Sequence, residues 1–272
     1  MGKSELLFLE KYGTDLTKMV EQQKLKPVVG RDEEITQCLK VLSKLETNNP
    51  LLVGEAGVGK TAVVEGLAQM IAAGRGPKRF HGKRVFSLNL NALVSETKYR
   101  GEFEQRLEEI LDEVRSNADR LIIFIDEIHT LLNLGATEGS AGAGNILKPV
   151  LARGEFPCIG ATTPDEFDRF IARDQALIRR FQLVAVEEPT AKETLEILRG
   201  IKQVFEHHHQ VSISDKSLKI CVELSERYSL EQSFPGKAIK VLDGACAAAA
   251  FESLEEVKPN FIKREFERTG GF

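Results

Sequence analysis

Apolar residues in this chain alternate between two spacings as far as about residue 187 and hold to one spacing after it. Helical spacing is expected over Asp32 to Leu45, after Gly30-Arg31, and over Ala62 to Ala73, ending near Gly74. It recurs where Phe103, Leu107, Ile110, Leu111 and Val114 form one apolar stripe, and over Asn145 to Ala152. Short apolar runs between these segments read as strands: Pro50 to Val53, Val85 to Leu90, Leu121 to Ile125, Cys158 to Ala161 and Leu183 to Val186. The run at 121–125 is apolar throughout, which predicts a strand buried on both faces. Strands alternating with helices predict an α/β fold built on a parallel sheet.

After Glu187-Glu188-Pro189 no further strand is expected, and Ala191 to Phe205, Asp215 to Tyr228 and Pro235 to Phe251 read as helices. A shorter helix starts near Pro259. Thr190 and Ser214 stand at N-cap positions, and Glu193 completes a capping box with Thr190. A boundary falls near residue 188, with a small helical domain beyond it. Neither repeats nor low-complexity segments occur, and the alanine run at 245–250 is helix filler.

Composition narrows the class. The 272 residues suffice for one large domain or two modest ones. With 37 Lys+Arg against 41 Asp+Glu the net charge is −4, so no basic surface for nucleic acid or an anionic membrane is expected. Cys38, Cys158, Cys221 and Cys246 are widely spaced with no C-x-x-C pair, which fits buried free thiols in a reducing compartment. No stretch approaches the ~18 apolar residues of a membrane span, and no signal peptide is expected. Met1-Gly2 is followed by Leu6 at the position where N-myristoylation needs Ser or Thr. The chain is expected to be cytoplasmic, or in an organelle matrix.

The chemistry begins at Gly54-Glu55-Ala56-Gly57-Val58-Gly59-Lys60-Thr61, which fits G-x-x-x-x-G-K-[ST]. It follows an apolar strand and opens a helix, the context a phosphate-binding loop requires. Glycines let backbone N–H groups close on phosphate oxygens, and the helix N-terminus adds a favourable dipole. Lys60 is expected to reach the β- and γ-phosphates, and the Thr61 hydroxyl to ligate Mg²⁺. The strand Leu121 to Ile125 ends in Asp126 and Glu127, and it is expected beside the strand feeding the loop. Asp126 is then placed to hold Mg²⁺ through water, and Glu127 to orient and deprotonate the attacking water.

Together with Asp126-Glu127-Ile128-His129-Thr130 and Gly160-Ala161-Thr162-Thr163, the loop resembles the first AAA+ module of the Clp family of ring-forming unfoldases, the ClpA, ClpB and ClpC type. The resemblance runs from Lys11 to Thr17 through Val29-Gly30-Arg31-Asp32, Lys98 to Phe103, Asn145 to Glu155 and Arg179-Arg180-Phe181, to Phe234 to Ala238. It implies a P-loop AAA+ fold: a parallel five-stranded sheet in the order 5-1-4-3-2 with a C-terminal helical lid. On that basis 1–26 is a lead-in, 27–188 the large nucleotide-binding subdomain, and 189–272 the lid ending in a linker.

The resemblance also assigns roles. Thr163 is implied as the γ-phosphate sensor, the alternative being a Thr that caps the next turn. Arg179 and Arg180 are implied as fingers reaching a neighbouring subunit's nucleotide. Tyr99 is implied in a pore loop that grips extended polypeptide, and Gly135 to Gly144 looks like a second pore loop. Val28, Val29, Ile197 and Leu198 are implied around adenine, with ordinary core as the alternative for each, and Lys237 occupies the second sensor region. His207-His208-His209 reads as structural rather than metal-binding, and His129 as a packing or hydrogen-bonding residue. The implied function is ATP hydrolysis, with Mg²⁺, coupled to threading polypeptides through a hexameric ring, without nucleic acid or membrane. Two alternatives stay open: an ATP-gated assembly module with little turnover, and a nucleic-acid AAA+ machine. No heptads, N-terminal domain or second module is read here, so the chain reads as an excised first module or a single-module relative.

Overall fold

The structure, a computed structural model, describes residues 6–95, 100–133, 146–147, 149–151, 156–228 and 232–268. Lys98 and Tyr99, the stretch 135–144, and Asn145, Lys148 and Ala152 lie outside the described residues, as does the tail 269–272. The chain divides into two compact units, one of residues 1–25, 33–53 and 63–185 and one of 26–32, 54–62 and 186–272.

The first unit is a six-stranded sheet. Its strands are β1 (Gly13–Asp15), β2 (Asn49–Val53), β3 (Arg84–Leu88), β4 (Leu121–Ile125), β5 (Cys158–Thr162) and β6 (Phe181–Ala185). They lie in the order β1-β3-β4-β5-β2-β6. From β3 to β6 every pairing is parallel, which is the implied order 5-1-4-3-2. Two expectations need correction. The sheet carries an extra edge strand: β1 pairs antiparallel with β3, Gly13 opposite Leu88 and Asp15 opposite Phe86. And β4 is not beside the strand feeding the loop, because β5 lies between β4 and β2. Only β5 therefore touches both, with Gly160 opposite Leu51 on one side and opposite Ile125 on the other.

All five residues of β4 and of β5 are buried, as a strand covered on both faces must be. The stripe Phe103, Leu107, Ile110, Leu111 and Val114 of the helix Arg100–Arg115 supplies one cover. The helix Leu7–Tyr12 packs on it, with Leu9 and Tyr12 buried. The backbone N–H groups of Phe8 and Leu9 donate to the Glu113 carboxylate at 3.3 and 2.8 Å, so a distant acid caps this N-terminus. Neither this helix, nor β1, nor the helix Leu16–Glu21 has a sequence periodicity long enough to reveal it.

The second unit is mainly helical. The helices Ala191–His209, Asp215–Tyr228, Gly236–Phe251 and Pro259–Arg268 enclose a core that includes Leu198, Phe205, Leu218, Leu242, Phe261 and Phe266. Thr190 and Glu193 form the expected reciprocal capping box, and the Ser214 hydroxyl accepts from the Ser217 N–H. Contrary to the expectation of no strands here, β7 (Ser212–Ile213) and β8 (Glu256–Val257) pair in parallel. Two residues each are too few for an alternation to be read. His207 to His209 form the last helical turn, and His209 Nε2 lies 2.7 Å from Asp243 Oδ1.

The four thiols are buried and unpaired. Burial, with the nearby Glu34 charge, pushes Cys38 up to about 12; burial first also takes Cys221 and Cys246 to about 12 and raises Cys158. A raised pKa keeps the unreactive thiol form at pH 8. Ellman's reagent at pH 8 should therefore find almost no reacting thiol in the folded chain and all four in urea.

Candidate functional site

The loop Gly54–Thr61 leaves β2 directly and enters the thirteen-residue helix Lys60–Ala72. Gly57 and Gly59 have φ of +87° and +104°, a region that side-chain-bearing residues rarely adopt. Left-handed residues inside a turn at a helix N-terminus are the conformation of an anion-binding nest. At Gly54 the constraint is space: a Cβ there would stand 2.2 Å from the Val186 carbonyl oxygen. Lys60 Nζ donates to the carbonyls of Gly54 at 2.7 Å and Glu55 at 3.0 Å, which closes the loop. Glu55, Ala56 and Thr61 are exposed, whereas Val58 is buried and anchors the turn. This donor set fits a polyphosphate, and the exposed Thr61 hydroxyl is a hard oxygen ligand suited to Mg²⁺.

Arg31, only 7% exposed, holds the loop from behind. Its Nη2 donates to the Val58 carbonyl at 2.6 Å and the Glu187 carbonyl at 3.2 Å. The other flank is tied by Gly236 N donating to Gly57 O at 3.1 Å. Lys237, expected in the second sensor region, is 8% exposed; its Nζ lies 3.6 Å from Glu188 Oε1 and 4.2 Å from the centroid of the Phe234 ring. Glu188 Oε1 also accepts from the Phe234 N–H at 2.6 Å. Of the four residues expected around adenine, Val28 and Val29 are half-buried, and Val29 packs on the lid core against Gly200. Leu198 and Ile197 are buried in that core.

In the other unit, β4 delivers Asp126 and Glu127 from a fully buried strand to its C-terminal end. Asp126 is half-buried and its Oδ1 accepts from the Glu127 N–H at 3.0 Å. Glu127 is exposed and sits at φ +47°. A non-glycine residue there carries strain that the surroundings must hold in place, a hallmark of functional positions. Here the Thr130 N–H does so by donating to Glu127 O at 2.8 Å.

Thr163, immediately after β5, N-caps the next helix in a capping box with Glu166, and its Oγ1 donates to Glu166 Oε2 at 2.9 Å. The capping alternative is thus realised in this structure. Arg179 is exposed and Arg180 half-buried. Their carbonyls accept from Thr47 Oγ1 at 3.1 Å and Asn49 N at 3.4 Å, while neither guanidinium pairs with a carboxylate among the described residues.

Sequence reasoning quoted Arg31 only inside a motif and missed Glu188 and Glu166. An Arg followed by Asp32-Glu33-Glu34 gives no local sign of burial. Thr163-x-x-Glu166, by contrast, is a capping-box spacing legible in the sequence.

These features define a P-loop nucleotide-binding protein, and comparison with known proteins gives the family. Residues 50–185 match the ATPase family associated with various cellular activities (AAA), and residues 190–269 match the AAA lid domain. The chain belongs to the AAA ATPase family, a nucleotide-binding family. It is similar to ClpB-type chaperone proteins. It is 48% identical over 266 residues to the chaperone protein ClpB of Gloeobacter violaceus, covering 96% of this chain and 30% of that protein. To the ClpB of Clostridium perfringens it is 51% identical over 248 residues, covering 90% of this chain and 29% of that protein. A structure of the Saccharomyces cerevisiae Hsp104–ADP complex aligns with TM-score 0.87 at 40% identity, covering 96% of this chain and 45% of that one. A structure of the same protein with casein, in an extended conformation, gives 0.86 at 39% identity, covering 97% and 45%. The chain spans about a third of the length of these curated relatives.

Replacing Arg31 with Ala leaves two carbonyls without their donor. We expect a stability loss of about 1–3 kcal/mol in urea unfolding, together with weaker nucleotide binding by fluorescence titration. Arg31→Lys should recover only part, because a point charge does not reproduce the guanidinium fork.

Proposed function

We propose that the chain hydrolyses ATP and couples hydrolysis to remodelling of polypeptides threaded through a hexameric ring. Glu127 carries the reading: an exposed carboxylate held on strained backbone at the end of a buried strand, one residue after Asp126. In this reading the loop amides and Lys60 bind and orient the phosphates. Thr61 and Asp126 would hold Mg²⁺, which when bound neutralises phosphate charge. Glu127 takes a proton from the water that attacks the γ-phosphorus as the bond to the β-phosphate oxygen breaks, giving ADP and phosphate. Thr163 lies at the end of the strand between β4 and β2 and contacts the reacting groups. Val28, Val29, Ile197 and Leu198 line the adenine side, and Lys237 monitors nucleotide from the lid.

Arg179 and Arg180 act on a neighbouring subunit's nucleotide, a role supported by their lack of an intramolecular carboxylate partner among the described residues. Tyr99 grips the polypeptide, as its flat, rigid ring allows without sequence preference. The Hsp104 structures with casein support a polypeptide substrate. The division into a lead-in (1–26), a large subdomain (27–188) and a lid (189–272) follows the same reading. So does a site in the cytoplasm or an organelle matrix; among the described residues no helix is long and apolar enough to cross a membrane. Because the chain spans a third of its relatives, a second reading is an ATP-binding assembly module with little turnover of its own.

Glu127→Gln should keep ATP binding and lower turnover by about 10²–10⁴-fold, the contribution of a general base; surviving turnover would overturn the assignment. Rate per subunit should rise with protein concentration, and Arg179→Ala should lower it by roughly 10³-fold or more. A rate independent of concentration and untouched by Arg179→Ala rules out shared sites, and negligible turnover at every concentration favours the assembly module. Tyr99→Ala should leave basal turnover intact and abolish its stimulation by an unfolded protein such as casein.

A further inference from the structure

We propose that His129 is a positioning residue that, through Glu166, fixes the Thr163 hydroxyl as a hydrogen-bond acceptor for the attacking water. The inference rests on the reading of Glu127 and Thr163 given above.

His129 follows Glu127 by two residues and is 8% exposed. Its ring stacks on Phe170, centroids 5.9 Å apart and planes 15° apart, within the π-helical turn Phe167–Ile171. Such turns are frequent at functional sites. His129 Nε2 lies 3.1 Å from Glu166 Oε1 and 3.3 Å from Thr130 Oγ1, and Nδ1 lies 3.2 Å from Thr162 Oγ1.

The carboxylate partner sets where the proposal places the proton. An ionised carboxylate only accepts, and a neutral imidazole has one N–H and one lone-pair nitrogen. With Nε2 3.1 Å from Glu166 Oε1, the pair is attractive only if Nε2 carries a proton, and we assign it there; the Thr130 and Thr162 hydroxyls, each donor or acceptor, accommodate that assignment. The second Glu166 oxygen, Oε2, accepts from Thr163 Oγ1 at 2.9 Å and from the Thr163 N–H at 3.4 Å. The single proton of the Thr163 hydroxyl is thereby committed to Glu166. Phosphate oxygens in ATP only accept, so a hydroxyl in this state has nothing to offer them. Water has two protons. One can go to Thr163 Oγ1 while the other points to the base, Glu127. Of the two lone pairs on Oγ1 the Glu166 N–H engages one at 3.4 Å, which leaves one for the water.

Without His129, one Glu166 oxygen loses its partner. The Glu166 side chain is a third exposed and can then turn to solvent, freeing the Thr163 hydroxyl to rotate. The water loses a fixed acceptor, while the loop that binds the phosphates is untouched.

Two measurements test this on the 272-residue chain. In steady-state ATPase assays His129→Ala should lower kcat by about tenfold or more, toward the ~10²-fold that follows a 1 Å misplacement, with KM for ATP nearly unchanged. His129→Gln, whose amide can still donate to Glu166, should recover most of kcat. In a Thr163→Ala background His129→Ala should cost nothing further, since both act on one bond. An unchanged kcat in His129→Ala, an equal loss in His129→Gln, an additive double variant, or an unaffected Thr163→Ala overturns the proposal. Independently of turnover, ring ¹⁵N shifts of His129 should show the proton on Nε2 and should change in Glu166→Ala; a proton on Nδ1 alone overturns it. Turnover surviving in Glu127→Gln sinks the proposed function instead, and the ring shifts then decide the His129 assignment by themselves.

Discussion

The loop keeps its shape because a buried guanidinium faces it. Carbonyls at a tight glycine turn point in several directions, and a buried one without a donor is costly. Arg31 supplies one fork to two of them, at Val58 and at Glu187, where the chain leaves β6. Gly54 also approaches the Val186 carbonyl closely. The segments 26–32, 54–62 and 186 onward thus cohere as one unit although they are remote in sequence. The loop 54–61 is thus tied by hydrogen bonds to the segment that leads into the lid and to Gly236 within it.

How far the sequence foretold this depends on segment length and on where partners come from. The strand at 121–125 and the helix at 215–228 emerged with the bounds expected, because a fully apolar run and a long amphipathic stripe are unambiguous. The five parallel strands in the order 5-1-4-3-2 also emerged, although reading β4 as adjacent to β2 was wrong. Sequence spacing says nothing of lateral neighbours, and β5 is inserted between them from a later segment. The short elements were invisible: β1, β7 and β8 have three, two and two residues. They exist because of the strand each pairs with.

At the site, motif residues were legible and their supports were not. Lys60, Asp126 and Glu127 declare themselves by spacing. The left-handed backbone at Glu127, the burial of Arg31 and the tie between Lys237 and Glu188 all depend on tertiary partners. Thr163 shows both sides of the matter: its proton goes to the Glu166 carboxylate and one lone pair to the Glu166 N–H, which leaves a second lone pair beside the cap.

The cap that Glu113 provides to the helix Leu7–Tyr12 has a bearing on solubility. That helix leads straight into β1, the strand that shields β3 along its outer edge. With Glu113 neutralised, the leading helix would detach more readily and β1 would peel away with it. Phe86, Ser87 and Leu88 of β3 would then lose their ladder partners on that side, two of them apolar. An uncovered edge of that kind templates strand addition from a second molecule. One acid on a distant helix thus helps to keep that edge covered.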